Sequence, residues 1–96
     1  RTVDTLLRLL HDSDAMARRT AAEALGKIGN PQAIAALVMA LGDQSPIVRE
    51  ASVRSLGGLG PLDLVARVHI AGLLIDPVQS VRSAAAQNLA SLDSTK

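Results

Sequence analysis

Apolar residues recur every three or four positions along most of the chain, the spacing that places side chains on one face of an α-helix. The stretches come in pairs, a first helix followed by a second helix. The second helices have their core-facing positions at Ala17, Ala21, Ala24, Leu25 and Ile28, at Val48, Ser52, Leu56 and Leu59, and at Val81, Ala85, Leu89 and Leu92. The first helices have theirs at Val3, Leu6, Leu7 and Leu10, at Ile34, Leu37, Val38 and Leu41, and less regularly at Ile70, Ala71 and Leu74. The pattern predicts an all-α fold.

Helix boundaries follow from capping residues, prolines and glycines. Asp14 and Ser45 suit N-caps, Pro46 and Pro77 suit first turns, and Gly29 and Gly60 suit helix ends. The predicted helices span residues 2–11, 15–28, 31–41, 46–59, 62–75 and 77–92. Gly26 and Gly57 lie inside two of these helices, at a cost of about 1 kcal/mol each relative to Ala. We therefore expect a neighbouring helix to approach closely at both glycines.

A short pattern recurs three times and begins each second helix. The segments that start at Asp12, Asp43 and Asp76 each have Arg six residues later. Their starting positions are 31 and 33 residues apart, a length that fits one helical hairpin. We therefore predict a right-handed α-α solenoid of three hairpins and six helices, in a single domain. The repeats span residues 1–29, 30–60 and 61–96.

The first helix of the third repeat departs from this pattern. Two extra residues lie between Gly60 and Ile70, and Arg67 stands where the earlier repeats have an aliphatic side chain. We therefore expect a register shift or a kink in this helix.

The second helices carry a family resemblance. Residues 18–29 and 49–60 closely follow the pattern Arg-x-x-Ala-x-x-x-Leu-Gly-x-Ile-Gly, whereas the third repeat has Ala90 and Asp93 where the others have Gly. In this pattern the sequence resembles the HEAT-like repeats named after phycobilisome lyases. The resemblance implies an α-helical solenoid. It rests on core-forming positions and therefore implies no single function.

Composition excludes several kinds of partner. Ten basic and nine acidic side chains give a net charge of +1, too little to hold a polyanion. The absence of Phe, Trp and Tyr removes the surfaces on which single-stranded nucleic acid stacks, and the absence of Cys removes thiolate chemistry. No uncharged stretch reaches the roughly 20 residues of a membrane helix. We expect a protein partner, no nucleic acid, no membrane and a cytoplasmic location.

The recurring acidic and basic residues are the main candidates for a chemical role. They are Asp12, Asp43 and Asp76 with Arg18, Arg49 and Arg82. The arginines could form an anion-binding row, but we favour a structural ladder in which each Arg reaches a loop Asp or a helix-terminal carbonyl of its own or a neighbouring repeat. His11 and His69 have no second His or Cys ligand at helical spacing. We therefore predict no catalytic residue, no metal and no cofactor.

The candidate binding surface lies on the second helices, which line the concave side of hairpin solenoids. Its residues occupy the positions outside the core: Arg19, Glu23, Lys27, Glu50, Arg54, Ser83, Gln87 and Ser91. The surface changes from charged at one end to neutral and polar at the other, which suits a mixed polar protein surface. We therefore predict a non-catalytic scaffold or interaction module that binds a protein through its concave face.

Two alternatives stay open at this point. The chain could be a subunit or accessory domain of an enzyme such as a bilin chromophore lyase, or a DNA-binding helical-repeat protein, although its near-zero charge opposes the latter.

The ends of the solenoid form a separate question. Leu9 and Leu10 at one end and Ala86 and Ala90 at the other are expected to be poorly covered. A homodimer or additional repeats would cover them. Because the sequence starts at Arg1 and not at Met, we expect it to be a segment of a longer protein.

Overall fold

The structure is a computed structural model that describes residues 2–93, with side chains for residues 2–91. Within this range the chain is helical and contains no strand. The six α-helices are α1 (Val3–Leu9), α2 (Ala15–Ile28), α3 (Ile34–Ala40), α4 (Pro46–Gly57), α5 (Leu64–Gly72) and α6 (Gln79–Asp93). A short 3₁₀ turn, Pro31–Ala33, precedes α3, and another, Leu73–Ile75, follows α5. The side chain of Leu92, a predicted core position, lies outside the described residues.

The helices pair into three hairpins, and the hairpins stack through their second helices. In each hairpin, α1 packs on α2, α3 on α4, and α5 on α6. Between hairpins, α2 packs against α4 and α4 against α6, while α3 lies beside α5. This arrangement is the predicted α-α solenoid, in which a continuous core runs across the repeat boundaries.

Equivalent large side chains of the three repeats form that core. Leu6, Leu37 and Ile70 of the first helices are buried, as are Leu25 and Leu56 of the second helices. Small residues fill the space between these large side chains. Those that are fully or almost fully buried are Ala21, Ala22, Ala33, Ala66, Ala84 and Ala85. The core therefore combines a large buried aliphatic side chain from each of the first five helices with alanines that let the helices approach each other.

The loop aspartates decide where the second helices begin. The Oδ1 atoms of Asp12, Asp43 and Asp76 each accept the backbone N–H two residues later at 2.9 Å. This turn occupies the first two positions after each Asp, so α6 starts at Gln79 and the predicted helical position of Pro77 is wrong.

The remaining predicted helix ends are partly right. Asp14 caps α2 by accepting the N–H of Met16, and Pro46 is the first residue of α4. Ser45 occupies the N-cap of α4, but its side chain makes no capping hydrogen bond. Gly29 ends α2 in the left-handed conformation with φ of 77°. Gly60 also has a positive φ, of 93°, but it lies three residues beyond the end of α4.

The two extra residues of the third repeat are absorbed in a loop and not in the helix. In the second repeat the N-cap Asn30 directly follows Gly29, whereas in the third repeat Pro61 and Leu62 separate Gly60 from the N-cap Asp63. Leu62 is buried, so the insertion gains apolar contact. The expected kink inside the helix is therefore wrong, because α5 runs unbroken and only tightens into a 3₁₀ turn after Gly72.

Four predicted exposures are also corrected by the structure. Ile28, Ala71 and Leu74 were expected in the core but are exposed. Ile28 faces the open end of the first hairpin, and no first helix follows α5 within the described residues to cover Ala71 and Leu74. Leu10 was expected to be poorly covered but is buried in the core.

Gly26 marks the closest approach between two second helices, as its position inside α2 predicts. A Cβ placed on Gly26 would lie 2.5 Å from Oγ, 2.6 Å from Cβ and 2.9 Å from Cα of Ser55. Backbone atoms therefore limit this contact, and a side-chain rotation alone cannot relieve it. At Gly57 the nearest atom is Nδ2 of Asn88 at 3.2 Å, a looser approach.

We expect Gly26→Ala to lower the free energy of unfolding by about 1–3 kcal/mol, because the added methyl group forces α2 and α4 apart. The matched control is Gly72→Ala in α5, where an added Cβ meets no atom within 4 Å. That change should raise the free energy of unfolding by about 0.5–1 kcal/mol through the better helix propensity of Ala. Urea denaturation followed by circular dichroism measures both effects, and equal effects of the two substitutions would contradict the close contact at Gly26.

Candidate functional site

An arginine near the start of each second helix binds the loop of its own hairpin. The Nη1 atoms of Arg18, Arg49 and Arg82 donate to the carbonyl oxygens of Asp12, Asp43 and Asp76, at 2.7, 2.8 and 2.6 Å respectively. The three guanidinium groups are therefore held by the same kind of contact, six residues back along the chain.

Two of these arginines also bind the next hairpin. Arg18 donates from Nε and Nη2 to the carboxylate of Asp43, at 2.8 and 3.0 Å. Arg49 donates in the same way to Asp76, at 2.8 and 3.1 Å. The side chains are largely buried, with exposures of 16% and 12% in the first pair and 14% and 4% in the second. Such bidentate contacts between arginine and a carboxylate are among the stronger hydrogen-bonding arrangements in proteins. Here they join consecutive repeats.

The carboxylates of this ladder are held in their charged form. Burial alone would raise the pKa of Asp43, but the hydrogen bonds from Arg18 and from the Ser45 N–H outweigh burial and lower it. At Asp76, the hydrogen bonds from Arg49 lower the pKa against the opposing effect of burial. The hydrogen bond with Asp43 also raises the pKa of Arg18. The geometry and the charges thus favour the same paired state.

The charged residues of the candidate binding surface pair along their own helices. On α2, Nε of Arg19 donates to Oε2 of Glu23 at 3.1 Å. On α4, Nε of Arg54 donates to Oε2 of Glu50 at 3.1 Å. Except for Glu50, whose side chain is 28% exposed, these side chains are 41–54% exposed. No ion pair in the described residues links α2 to α4 across this surface. The buried ladder, in contrast, joins α2 and α4 each to the loop before the next second helix.

Shallow grooves run between the second helices and bring these residues together. A groove of about 340 Å³ between α2 and α4 has Glu23, Lys27 and Arg54 on its walls and small residues such as Gly26 and Gly58 beneath them. A neighbouring groove of about 280 Å³ is lined by Arg19, Glu23, Ile47, Glu50, Ala51 and Arg54. The predicted residues of the first two repeats therefore surround one continuous region.

The third repeat contributes to the same surface through α6. Gln87 lines a groove of about 210 Å³ between α4 and α6, together with Arg54. Ser83 and Ser91 are exposed on α6, and Oγ of Ser91 donates to the carbonyl of Asn88 at 2.7 Å. The structure thus places all eight predicted residues on α2, α4 and α6; their role in binding stays a prediction.

Two side chains that the sequence reasoning missed connect the second helices beneath this surface. Oγ of Ser55 donates to the carbonyl of Ala22 at 2.7 Å, and Nδ2 of Asn88 donates to the carbonyl of Val53 at 3.1 Å. Ser55 and Asn88 are 33 residues apart, so the repeat spacing together with their polar character was the available signal. Oδ1 of Asn88 is buried without a hydrogen-bond partner among the described residues.

The histidines occupy separate exposed places. His11 lies in the turn after α1, and Nδ1 of His69 is 2.8 Å from the carbonyl oxygen of Val65 within α5. Among the described residues, no group of three or more His, Asp or Glu side chains is placed to hold a metal ion. None of the helices in residues 2–93 combines the length and the apolar character that a membrane crossing requires.

Comparison with known proteins agrees with this architecture. A family model described as HEAT repeats matches residues 1–57, more than half of the chain, and a model described as a HEAT repeat matches residues 68–95. No curated protein matches the sequence. The resemblance to the phycobilisome-lyase type of these repeats stays a prediction.

We expect acid to destabilise the protein through Asp43 and Asp76. Their pKa values are lower in the folded state, so the stabilisation is present above the unfolded value of about 4 and is lost as the pH falls through the folded values. Urea denaturation between about pH 6 and pH 2 measures this loss. The double substitution Asp43→Asn and Asp76→Asn should make stability depend less on pH.

Asp14→Asn is the control for removing a carboxylate outside the ladder while keeping a capping oxygen. An acid dependence of the double variant as steep as that of the control would contradict the assignment.

Proposed function

The chain belongs to the HEAT repeat family, and on this premise we propose that it is a non-catalytic module that binds a protein through the surface of α2, α4 and α6. HEAT repeats generally mediate protein–protein interactions or act as scaffolds. The observation that carries the choice of surface is the row of grooves between successive second helices, which are lined by exposed charged side chains.

The charges of this surface are available to a partner. The Arg19–Glu23 and Glu50–Arg54 pairs are exposed and lie within single helices. Exposed pairs of this kind contribute only about 0.2–1 kcal/mol, so exchanging them for charges of a partner costs little. The buried ladder is different, because Arg18 and Arg49 are already engaged with both loop carbonyls and carboxylates.

The partner that suits this surface is a protein segment with mixed charge. Acidic and basic side chains alternate along α2 and α4, whereas Ser83, Gln87 and Ser91 make the α6 end neutral and polar. A uniformly charged ligand would meet repulsion at one half of each pair. A polar segment with both signs of charge at one end and neutral hydrogen-bonding groups at the other would complement the whole length.

The two ends of the solenoid require a second kind of contact in this proposal. Met16 and Ile28 at the first end are 52% and 49% exposed, and Ala86 and Ala90 are exposed at the other. A second copy of the chain or additional repeats would cover these residues. End contacts and partner binding use different surfaces, so the two can occur together.

We expect the triple variant Glu23→Ala, Lys27→Ala and Arg54→Ala to bind the partner at least about tenfold more weakly. The three substitutions remove the side chains that form the walls of the groove between α2 and α4. The measurement has two steps. Affinity capture from lysate of the native source with the wild-type chain isolates the partner, and calorimetric titration of the recovered partner then compares the variants.

The matched control is Asp4→Ala, Arg8→Ala and Arg67→Ala on the first helices. It removes one acidic and two basic exposed side chains, as the test variant does, and so gives the same change in net charge. The control should bind like the wild type. Equal binding by the test variant and the wild type would rule out this surface as the binding site.

A further inference from the structure

Arg82, the arginine of the last repeat, binds the loop of its own hairpin as Arg18 and Arg49 do, but among the described residues it lacks their contact with an aspartate of a following hairpin. Nη1 of Arg82 donates to the carbonyl of Asp76, as the equivalent atoms do in Arg18 and Arg49. In the earlier repeats Nε and Nη2 bind the Asp of the following hairpin. Within the described residues no carboxylate meets these two atoms of Arg82. The edge of the guanidinium that joins repeats is therefore open at this end.

The aspartate of the first repeat lacks the complementary contact. Oδ1 of Asp12 accepts the N–H of Asp14, as Asp43 and Asp76 do in their own turns. Those two aspartates each bind an arginine of the preceding hairpin, but Asp12 binds no guanidinium among the described residues. One end of the ladder thus presents an unpaired carboxylate, and the other end presents an unpaired guanidinium.

Residues at the two ends of the solenoid are equivalent in sequence to residues that contact each other between α2 and α4. A groove of about 660 Å³ on the first hairpin, to which Asp12 belongs, is lined by Leu6, Leu9, Met16, Ala17, Thr20, Ala24 and Ile28. Ala24 of α2 is equivalent to Ser55 of α4, the residue that meets Gly26 of the preceding helix. The groove is therefore the face that a preceding repeat would occupy. At the far end, Ala86 and Ala90 of α6 are exposed. They are equivalent to Ala22 and Gly26 of α2, which contact α4.

We propose that a second copy of this chain stacks head to tail on the first, with Asp12 of one copy bound by Nε and Nη2 of Arg82 of the other. The two ends are complementary in charge, and the contact continues the interfaces already present between α2, α4 and α6. The occupant of the groove is the α6 face of the second copy. This proposal identifies the contact that covers the two ends of the solenoid. It does not involve the candidate binding surface of α2, α4 and α6.

The residue at position 90 sets how closely the copies approach. In the internal interfaces the equivalent residues are Gly26 and Gly57, whereas Ala90 carries a Cβ. A Cβ at Gly26 would overlap the facing helix, so the stacked copies lie farther apart than α2 and α4 do. The intermolecular contact is therefore weaker than the internal one, and association depends on concentration. A head-to-tail contact leaves one unoccupied end on each of the two copies, so the assembly grows beyond a dimer, into a ring or an open filament.

Sedimentation equilibrium over about 10 μM to 1 mM tests the proposal, because it detects association with dissociation constants in that range. The wild-type average mass should rise from the 9.9 kDa of one chain past that of a dimer. Arg82→Asp and Asp12→Arg should each weaken association about tenfold or more, because like charges then face each other. An equimolar mixture of the two variants restores opposite charges at every contact and should associate like the wild type.

Circular dichroism confirms that each variant is folded, and Asp12→Asn, which keeps an oxygen for the turn, is the second variant should Asp12→Arg unfold. A wild-type chain that stays monomeric up to about 1 mM overturns the proposal. Association that neither charge reversal weakens, or that the mixture fails to restore, also overturns it. The Glu23, Lys27 and Arg54 variant should associate normally, so loss of partner binding and loss of stacking are separate results.

Discussion

The contact on which the solenoid depends is an arginine that binds two hairpins at once. Arg18 and Arg49 each hold the loop of their own hairpin through Nη1 and the aspartate of the next hairpin through Nε and Nη2. The same aspartates form the turns that start the second helices. A single pair of residues per repeat therefore sets the start of one helix and its position against the preceding one, and the rest of the packing follows this register.

Small residues let the second helices come close enough for that contact. Gly26 meets the backbone of α4, and Ser55 and Asn88 then reach carbonyl groups of the preceding helix. Because the main chains lie so near each other, the grooves above them are shallow and their walls are long charged side chains. The proposed binding surface is thus a direct result of close backbone packing, and its solvent-accessible ion pairs contribute little to the stability of the fold.

The periodic features of the structure could be predicted from the sequence, and the local exceptions could not. The bounds of α2 and the three-hairpin architecture follow from helical spacing and from the repeated Asp and Arg. The start of α6 was missed because Pro77 resembles a first-turn proline, whereas the Asp76 turn delays the helix. Leu62 was missed as a buried loop residue because an insertion has no counterpart in the other repeats. The repeat spacing marks Ser55 and Asn88 as equivalent polar residues, but their acceptors, the carbonyls of Ala22 and Val53, depend on the register between helices, which the spacing alone does not give.

A double-mutant cycle on Arg49 and Asp76 tests the role of the ladder most directly. The free energy of unfolding is measured for the wild type, Arg49→Gln, Asp76→Asn and the double variant, and the same cycle is run on the exposed Glu50 and Arg54 pair. We predict a coupling energy of about 1–3 kcal/mol for Arg49 and Asp76 and less than about 1 kcal/mol for the exposed pair. A coupling energy between Arg49 and Asp76 no larger than that of the exposed pair would contradict the account.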